Sequence, residues 1–346
     1  MGSKRFGQGS APSQPCHDFL CKAWRFYREN CMHDHSSDPF NRLGSPKDAY
    51  QTAQSSSLRD SFPQGSICCF EFINSMLSNL SPFVPHPDMC SKVEALALDC
   101  GAYLMQAREQ LQTEQVHFKD THNLVTHADL ECEKRLIEGL STLCPQAAFQ
   151  TEEGVVVGVS KGLRWIIDPL DGTTNFVHNI PFYSISIALA QDDDLLLGVV
   201  YAPCTREMFS AVKGAGAFLN GAPIRASDQE CLEDALLATG FPYYRFDRME
   251  EYMASLRQLM RHCRGLRRLG SAALDLAYVA CGRFDAYFEH NLQPWDVAAG
   301  ILLVREAGGV VRGIREGVNP LHGTEIVASG QRLAEPVRRE LNPERV

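Results

Sequence analysis

The sequence predicts a layered α/β (α+β) fold of about 250 residues preceded by a long extension, and three observations carry that expectation. Composition changes near residue 90: the first 90 residues hold 8 of the 18 prolines and the cluster Ser55-Ser56-Ser57. Their eight basic and eight acidic residues cancel, so the whole charge of −9 lies in 91–346. Beyond that point short apolar runs crowd the middle of the chain, and helical and strand patterns then alternate to the end.

The elements follow in order. Residues 1–90 show no sustained apolar period and are expected to be a low-complexity, largely disordered extension, with 91–346 as the folded domain. The same pattern leads to the expectation that the natural product starts at Met76 or Met89. Val93, Leu96, Cys100, Tyr103, Leu104, Ala107 and Leu111 recur at three- and four-residue steps, which is one face of a helix. Leu130–Leu140 reads as a second helix. Trp165-Ile166-Ile167 is a short buried strand, expected to stop at Asp168-Pro169. Tyr183–Leu189 and Leu195–Tyr201 flank a polar turn and form a strand pair. Gly214 and Gly216, then Asn220-Gly221, mark further turns. Helices are expected over 247–262, 271–281, 296–307 and 331–341, with strands at 284–289, 309–312 and 325–328.

Composition excludes several function classes. With 33 basic against 42 acidic residues the chain lacks the cationic excess of a nucleic-acid binder. No apolar run approaches the roughly 18 residues of a membrane helix. The thirteen cysteines are odd in number and include no CxxC pair, and the N-terminus has no secretory pattern. A reducing cytoplasm is therefore expected, with neither nucleic acid nor membrane as partner. Cys16, His17, Cys21, Cys31, His33 and His35 are potential zinc ligands, but their spacing matches no standard finger or ribbon.

The chemistry is expected from carboxylates. Asp168-Pro-Leu-Asp-Gly-Thr-Thr-Asn175 follows directly on a strand. Pro fixes one turn residue and Gly permits a tight approach, so Asp168 and Asp171 can face one site. Two carboxylates so close repel unless a cation lies between them, and all-oxygen ligands suit Mg²⁺. The Gly172-Thr173-Thr174 amides open a short helix and offer donors to a phosphate. Taken singly, Glu152-Glu153 reads as a solvated pair and Asp296 as a helix cap.

Together, Glu152-Glu153, Trp165-Ile-Ile-Asp-Pro-Leu-Asp-Gly-Thr-Thr-Asn175, and Trp295-Asp-Val-Ala-Ala-Gly300 with Glu306-Ala-Gly-Gly309 resemble the inositol monophosphatase family. The resemblance covers roughly 91–340. It implies the layered αβαβα sandwich shared with fructose-1,6-bisphosphatase, and a magnesium-dependent, lithium-sensitive phosphatase of inositol monophosphate. Carried over residue by residue, it places two to three Mg²⁺ ions. Glu152, Asp168 and the Leu170 carbonyl would hold the first, and Asp168, Asp171 and Asp296 the second; a third would lean on Glu152 and water. Asp129 and Thr173 would activate the attacking water, with Glu152 also in the catalytic set. Gly172 and Thr173 would meet the phosphate. Gly270, Ser271, Ala272 and Glu289, with Asp171 and Asp296 nearby, would meet the leaving group. The resemblance also implies a homodimer.

Gln293 stands where other members carry His or Arg, which bears on substrate preference. No additional basic or aromatic group is assigned around Ser271–Glu289, and that favours a small uncharged polyol over histidinol phosphate, fructose 1,6-bisphosphate or a 3′-phosphonucleotide. Arg267 and Arg268 are open between a supporting and a surface role. A further reading is a dual role as a binding partner of transcription or ribosome-assembly machinery.

Overall fold

In the computed structural model the chain divides into two units, Met1–Pro82 and Phe83–Val346. The structure describes residues 83–111, 116–120, 123–154, 162–241, 246, 248–322 and 325–341, all in the second unit, with the backbone alone over 116–120 and 123–126. The potential zinc ligands between Cys16 and His35, and the expected disorder of the extension, lie outside the described residues.

Two helices open the described chain: α1 (Met89–Gln110) and, after the hairpin β1 (Val116–Asp120) and β2 (Asn123–Thr126), α2 (His127–Leu143). A seven-stranded sheet follows, built from β3 (Ala148–Thr151), β4 (Leu163–Asp171), β5 (Ser184–Gln191), β6 (Asp194–Ala202), β7 (Glu207–Val212), β8 (Gly216–Leu219) and β9 (Ala222–Pro223). The strands lie in sequence order, with β3 and β4 parallel and every later pair antiparallel. The helix α3 (Thr173–Val177) interrupts the run after β4.

The second half contains β10 (Leu236–Thr239), α4 (Met249–His262), β11 (Gly265–Arg267), α5 (Ala272–Ala280) and β12 (Ala286–His290). It ends with α6 (Pro294–Glu306), β13 (Val310–Arg312), β14 (Glu325–Ser329) and α7 (Ala334–Leu341). Its five strands form a sheet of order β11-β10-β12-β14-β13, in which β14 runs antiparallel to both neighbours.

Side-chain alternation assigns the layers. On β4, Trp165 and Ile167 pack with Val93, Leu104, Cys132 and Leu136 of α1 and α2. Ile166, between them, faces the opposite way and joins Leu276, Val297 and Ile301 of α5 and α6. Those helices are also covered by Tyr287, Ile326 and Ala328 of the smaller sheet. The other face of that sheet, through Leu237, Ala286, Phe288 and Val327, meets Tyr252 and Leu259 of α4 and Val337 of α7. The result is the expected αβαβα sandwich. Each buried Leu, Ile or Phe in it contributes roughly 1.5–3 kcal/mol relative to exposure. Among the described residues no helix is long and apolar enough to cross a membrane.

Several boundaries differ from expectation. The Trp165 strand does not stop at Pro169 but continues to Asp171 through a bulge. Proline is tolerated there because a bulge leaves a residue out of the hydrogen-bond ladder. Helix α2 begins at His127, which puts Asp129 inside the first turn. Helix α6 starts at Pro294, whose fixed φ suits the first helical position. In their residues β3, β10 and β11 show no alternation of apolar and polar types, although β3 alternates in burial once it pairs with β4, so neighbouring strands rather than propensity define them.

Candidate active site

The bulge in β4 creates the centre of the site. Asp168 pairs with Ser186 and Asp171 with Ser184, so three steps on β4 oppose two on β5. In a regular strand residues three apart face opposite sides; the extra residue brings both aspartates to one side. Asp168 Oδ1 accepts the Leu170 N–H at 2.9 Å within this turn. Gly172 follows at φ 97°, a conformation that favours glycine, and α3 is only five residues long.

Asp171 is anchored from 100 residues away. Its Oδ2 accepts the Ser271 hydroxyl and the Ala273 N–H, both at 2.7 Å. Ser271 is the N-cap of α5, accepts the Leu274 N–H, and is itself buried. Its hydroxyl therefore positions a carboxylate. Asp296 arrives on the first turn of α6 in a capping box: its Oδ2 accepts the Gln293 N–H at 2.7 Å. It thus sits three residues inside the cap rather than at the cap. Glu152 comes from the segment after β3, where the Glu153 N–H donates to Glu133 Oε2 of α2 at 3.0 Å.

These carboxylates act on one another electrostatically. Burial pushes Asp168 far above the ordinary carboxylate range, and the charges of Glu152, Asp171 and Asp296 push in the same direction. Burial and Asp171 do the same to Asp296, against the Gln293 N–H and with help from Glu152 and Glu289. Asp171 is raised to about 6 by burial, in spite of its donors from Ser271 and Ala273. Such repulsion is relieved by a divalent cation. Among the described residues no three His, Cys, Asp or Glu side chains form a compact metal-binding group. The donor set is instead an open, all-oxygen one. That fits Mg²⁺, which keeps several waters and takes one or two carboxylates plus phosphate oxygens in preference to a closed protein cage.

Beside this cluster the Thr173 hydroxyl lies 3.2 Å from Asp129 Oδ1 and 3.1 Å from the Leu170 carbonyl, to either of which it can donate. Asp129 is buried on α2, 44 residues from Thr173 in sequence. Cys132, on the same helix, donates from Sγ to the Pro169 carbonyl at 3.3 Å.

A cleft of about 470 Å³ opens over the cluster. It is lined by Glu152, Asp171, Gly270, Ser271, Ala272, Glu289 and Asp296, all singled out in the sequence, and by Gln293. It is also lined by Phe241, Arg268 and His290. Arg268 stacks on the Phe241 ring at 5.7 Å. A basic and an aromatic group therefore do reach this pocket, contrary to the expectation drawn around Ser271–Glu289, because the β10 and β11 ends place them there. Glu133 was also missed, although it stands four residues after Asp129 on one helix face, a spacing that could have found it. Removing its anchor should loosen the Glu152 segment: Glu133→Ala is expected to raise the Mg²⁺ concentration for half-maximal activity several-fold, toward the roughly 10-fold typical of lost outer-shell support. A titration of activity against Mg²⁺ checks this, and an unchanged midpoint would contradict it.

The fold and this geometry can be set beside known proteins. The family model described as the inositol monophosphatase family matches residues 88–344. An inositol-1-monophosphatase of Rhizobium meliloti is 42% identical over 239 residues, covering 69% of this chain and 90% of that protein. The Nus factor SuhB of Pasteurella multocida is 40% identical over 239 residues, covering 69% and 88%. The crystal structure of the extragenic suppressor protein suhB from Bartonella henselae superposes with a TM-score of 0.70 at 40% identity, covering 73% of this chain and 98% of that one. A match across the whole described sandwich, together with the aspartate bulge and the Trp-Asp helix start, shows that the chain belongs to the inositol monophosphatase family.

Proposed function

We propose that the protein is a cytoplasmic, Mg²⁺-dependent phosphomonoesterase that hydrolyses inositol monophosphate to myo-inositol and phosphate. The observation that carries this reading is the meeting of the Asp168–Asp171 bulge with Asp296 and Glu152 in one cleft, beside the Asp129–Thr173 pair. Glu152, Asp168 and the Leu170 carbonyl would hold one Mg²⁺, Asp168, Asp171 and Asp296 a second, and Glu152 with water a weaker third. Bound there, Mg²⁺ supplies charge neutralisation and a lowered pKa for water.

The chain's own residues do the rest. Asp129, through the Thr173 hydroxyl, orients the attacking water and draws its proton away from the phosphorus. The Gly172 and Thr173 amides donate to phosphate oxygens, and the Leu170 turn keeps them aligned. Gly270, Ala272 and Glu289 line the side of the cleft where the polyol hydroxyls would lie, with Asp171 and Asp296 below them; the Ser271 hydroxyl is spent on Asp171. Because Thr173 acts on the water and not on substrate affinity, Thr173→Ala is expected to lower kcat by about 10²-fold with a much smaller change in KM. Steady-state kinetics on inositol 1-phosphate checks the split, and a change confined to KM would remove Thr173 from this role.

The test of the whole reading is phosphate release from inositol 1-phosphate, histidinol phosphate, fructose 1,6-bisphosphate and adenosine 3′,5′-bisphosphate, with Mg²⁺, without it, and with Li⁺ added. Preference for inositol 1-phosphate that needs Mg²⁺ and falls with Li⁺ is the expected result. Arg268 and Phe241 on the cleft wall support a second reading, the same chemistry on an ester with an additional anionic or planar group. Preference for one of the other three esters would establish it. The resemblance to proteins called Nus factor SuhB supports a concurrent role beside transcription machinery, and retention of an Asp296→Ala protein on such a complex would separate it from catalysis. Homodimerisation is part of the proposal, and sedimentation measures it.

A further inference from the structure

Asn175 closes the run that begins at Asp168, is buried on α3, and has no part in the chemistry proposed above. Its side-chain Nδ2 donates to the Phe182 carbonyl at 2.7 Å and to the Leu269 carbonyl at 2.8 Å. A carbonyl oxygen only accepts, so the amide nitrogen, with its two hydrogens, must be the atom that faces them. These partners lie 7 and 94 positions away in sequence. One short side chain therefore ties α3 both to the approach of β5 and to the segment that leads into α5.

The backbones it ties lie directly against each other. At Gly172, φ 97°, a Cβ would stand 3.1 Å from the Gly270 carbonyl oxygen and 3.1 Å from that of Phe182. At Gly270, φ 93°, a Cβ would stand 3.0 Å from Asn175 Nδ2. Two glycines in the left-handed region let the two turns meet with no side chain between them. Asp171 holds the α5 segment after Gly270, through the Ser271 hydroxyl and the Ala273 N–H. Asn175 holds it before Gly270, through the Leu269 carbonyl.

We infer, on the phosphomonoesterase reading above, that Asn175 is a positioning residue that sets Gly270–Ala272 at a fixed distance from the phosphate donors of Gly172 and Thr173, and so selects esters of a polyol. Asn175 does not itself line the cleft and acts through the backbone it holds. A polyol ester is gripped at both ends, its phosphate by the α3 amides and its hydroxyls by the α5 segment. A shift of about 1 Å between two such grips costs on the order of 10²-fold in rate. An ester whose alcohol part carries no hydroxyls is gripped at the phosphate alone and does not register that shift.

The full-length protein with Mg²⁺ is assayed on inositol 1-phosphate and on p-nitrophenyl phosphate, whose leaving group has none of the polyol hydroxyls. Asn175→Ala removes both donors, and Asn175→Ser keeps one hydroxyl donor at the same position. For Asn175→Ala, kcat/KM on inositol 1-phosphate is expected to fall on the order of 10–10²-fold, with that on p-nitrophenyl phosphate kept within a few-fold. Asn175→Ser is expected to fall between Asn175→Ala and wild type in this preference. The Mg²⁺ concentration for half-maximal activity is expected to stay unchanged, because Ser271 and Ala273 still hold Asp171. Equal losses on both esters, or a loss that follows a moved Mg²⁺ midpoint, would show a merely structural role and overturn the inference. If Asn175→Ala fails to fold, the preference of Asn175→Ser decides; if neither folds, the two bonds are a requirement of folding and the inference falls. A wild-type protein that cleaves neither ester sinks the phosphatase reading itself. Wild-type turnover with an unchanged preference in both variants sinks this inference alone.

Discussion

Replacing Asp168 by asparagine is expected to lower kcat by on the order of 10²–10³-fold while leaving the protein as stable as before, or more stable, in the absence of Mg²⁺. The two halves of this result have one cause. Asp168 is buried among Glu152, Asp171 and Asp296, and its carboxyl sits well above its ordinary range. An acid whose folded pKa exceeds its unfolded one destabilises the fold when ionised, and that cost vanishes as pH falls below the folded value. Asparagine has the same shape, keeps an oxygen to accept the Leu170 N–H, and carries no charge. The repulsion therefore falls, and so does the attraction for a divalent cation. Thermal unfolding with EDTA and with Mg²⁺ reads both effects: wild type should gain in Tm with Mg²⁺, as any native-state ligand requires, and the Asp168→Asn variant should gain much less. Turnover within 10-fold of wild type would contradict the assignment of Asp168 as a ligand.

The second large effect lies away from the cleft, in the contact that holds α6 on the larger sheet. Gly198 occupies the middle of β6, and a Cβ added there would stand 2.9 Å from the Ala299 carbonyl oxygen and 3.1 Å from its Cα. Both are backbone atoms of α6, so no rotamer change relieves the clash. Gly198→Val is expected to cost about 3 kcal/mol, at the upper end of overpacking penalties, and to lower Tm by roughly 6–12 °C. Because α6 carries Asp296 at its start, the Mg²⁺ requirement should rise in the same variant. A calorimetric scan and a Mg²⁺ titration measure the two. An unchanged Tm would mean that the helix can lift from the sheet without loss.

The Ala298-Ala299-Gly300 run and the Gly198 strand show how far a chain can be read locally. Small residues on both elements are visible in the sequence, but only the docked helix shows which glycine meets which backbone. Asp168 and Asp171 are similar: their motif was legible, and their common facing was expected from proline and glycine. It is achieved by a bulge inside a strand that continues past Pro169. The hydrogen bond from the Tyr287 phenol to Glu289 was available in principle from strand period, whereas the packing of the Glu289 carboxyl against Gly240, with no room for a side chain there, was not, because β10 and β12 are brought side by side only by the sheet.

By itself the sequence determined a layered α/β class and the main helices and hairpins; its resemblance to a family supplied the αβαβα order, and its motifs supplied the carboxylates proposed for the site. Periodicity, turn chemistry and local motifs are written over a few neighbouring residues. Tertiary structure alone decided that the Ser271 hydroxyl serves Asp171, that Glu133 holds the Glu152 segment, and that Arg268 and Phe241 reach the cleft. Those contacts join residues 20 to 100 positions apart or converge from separate strand ends. Sheet register and helix docking set them, and both are properties of the whole packed core.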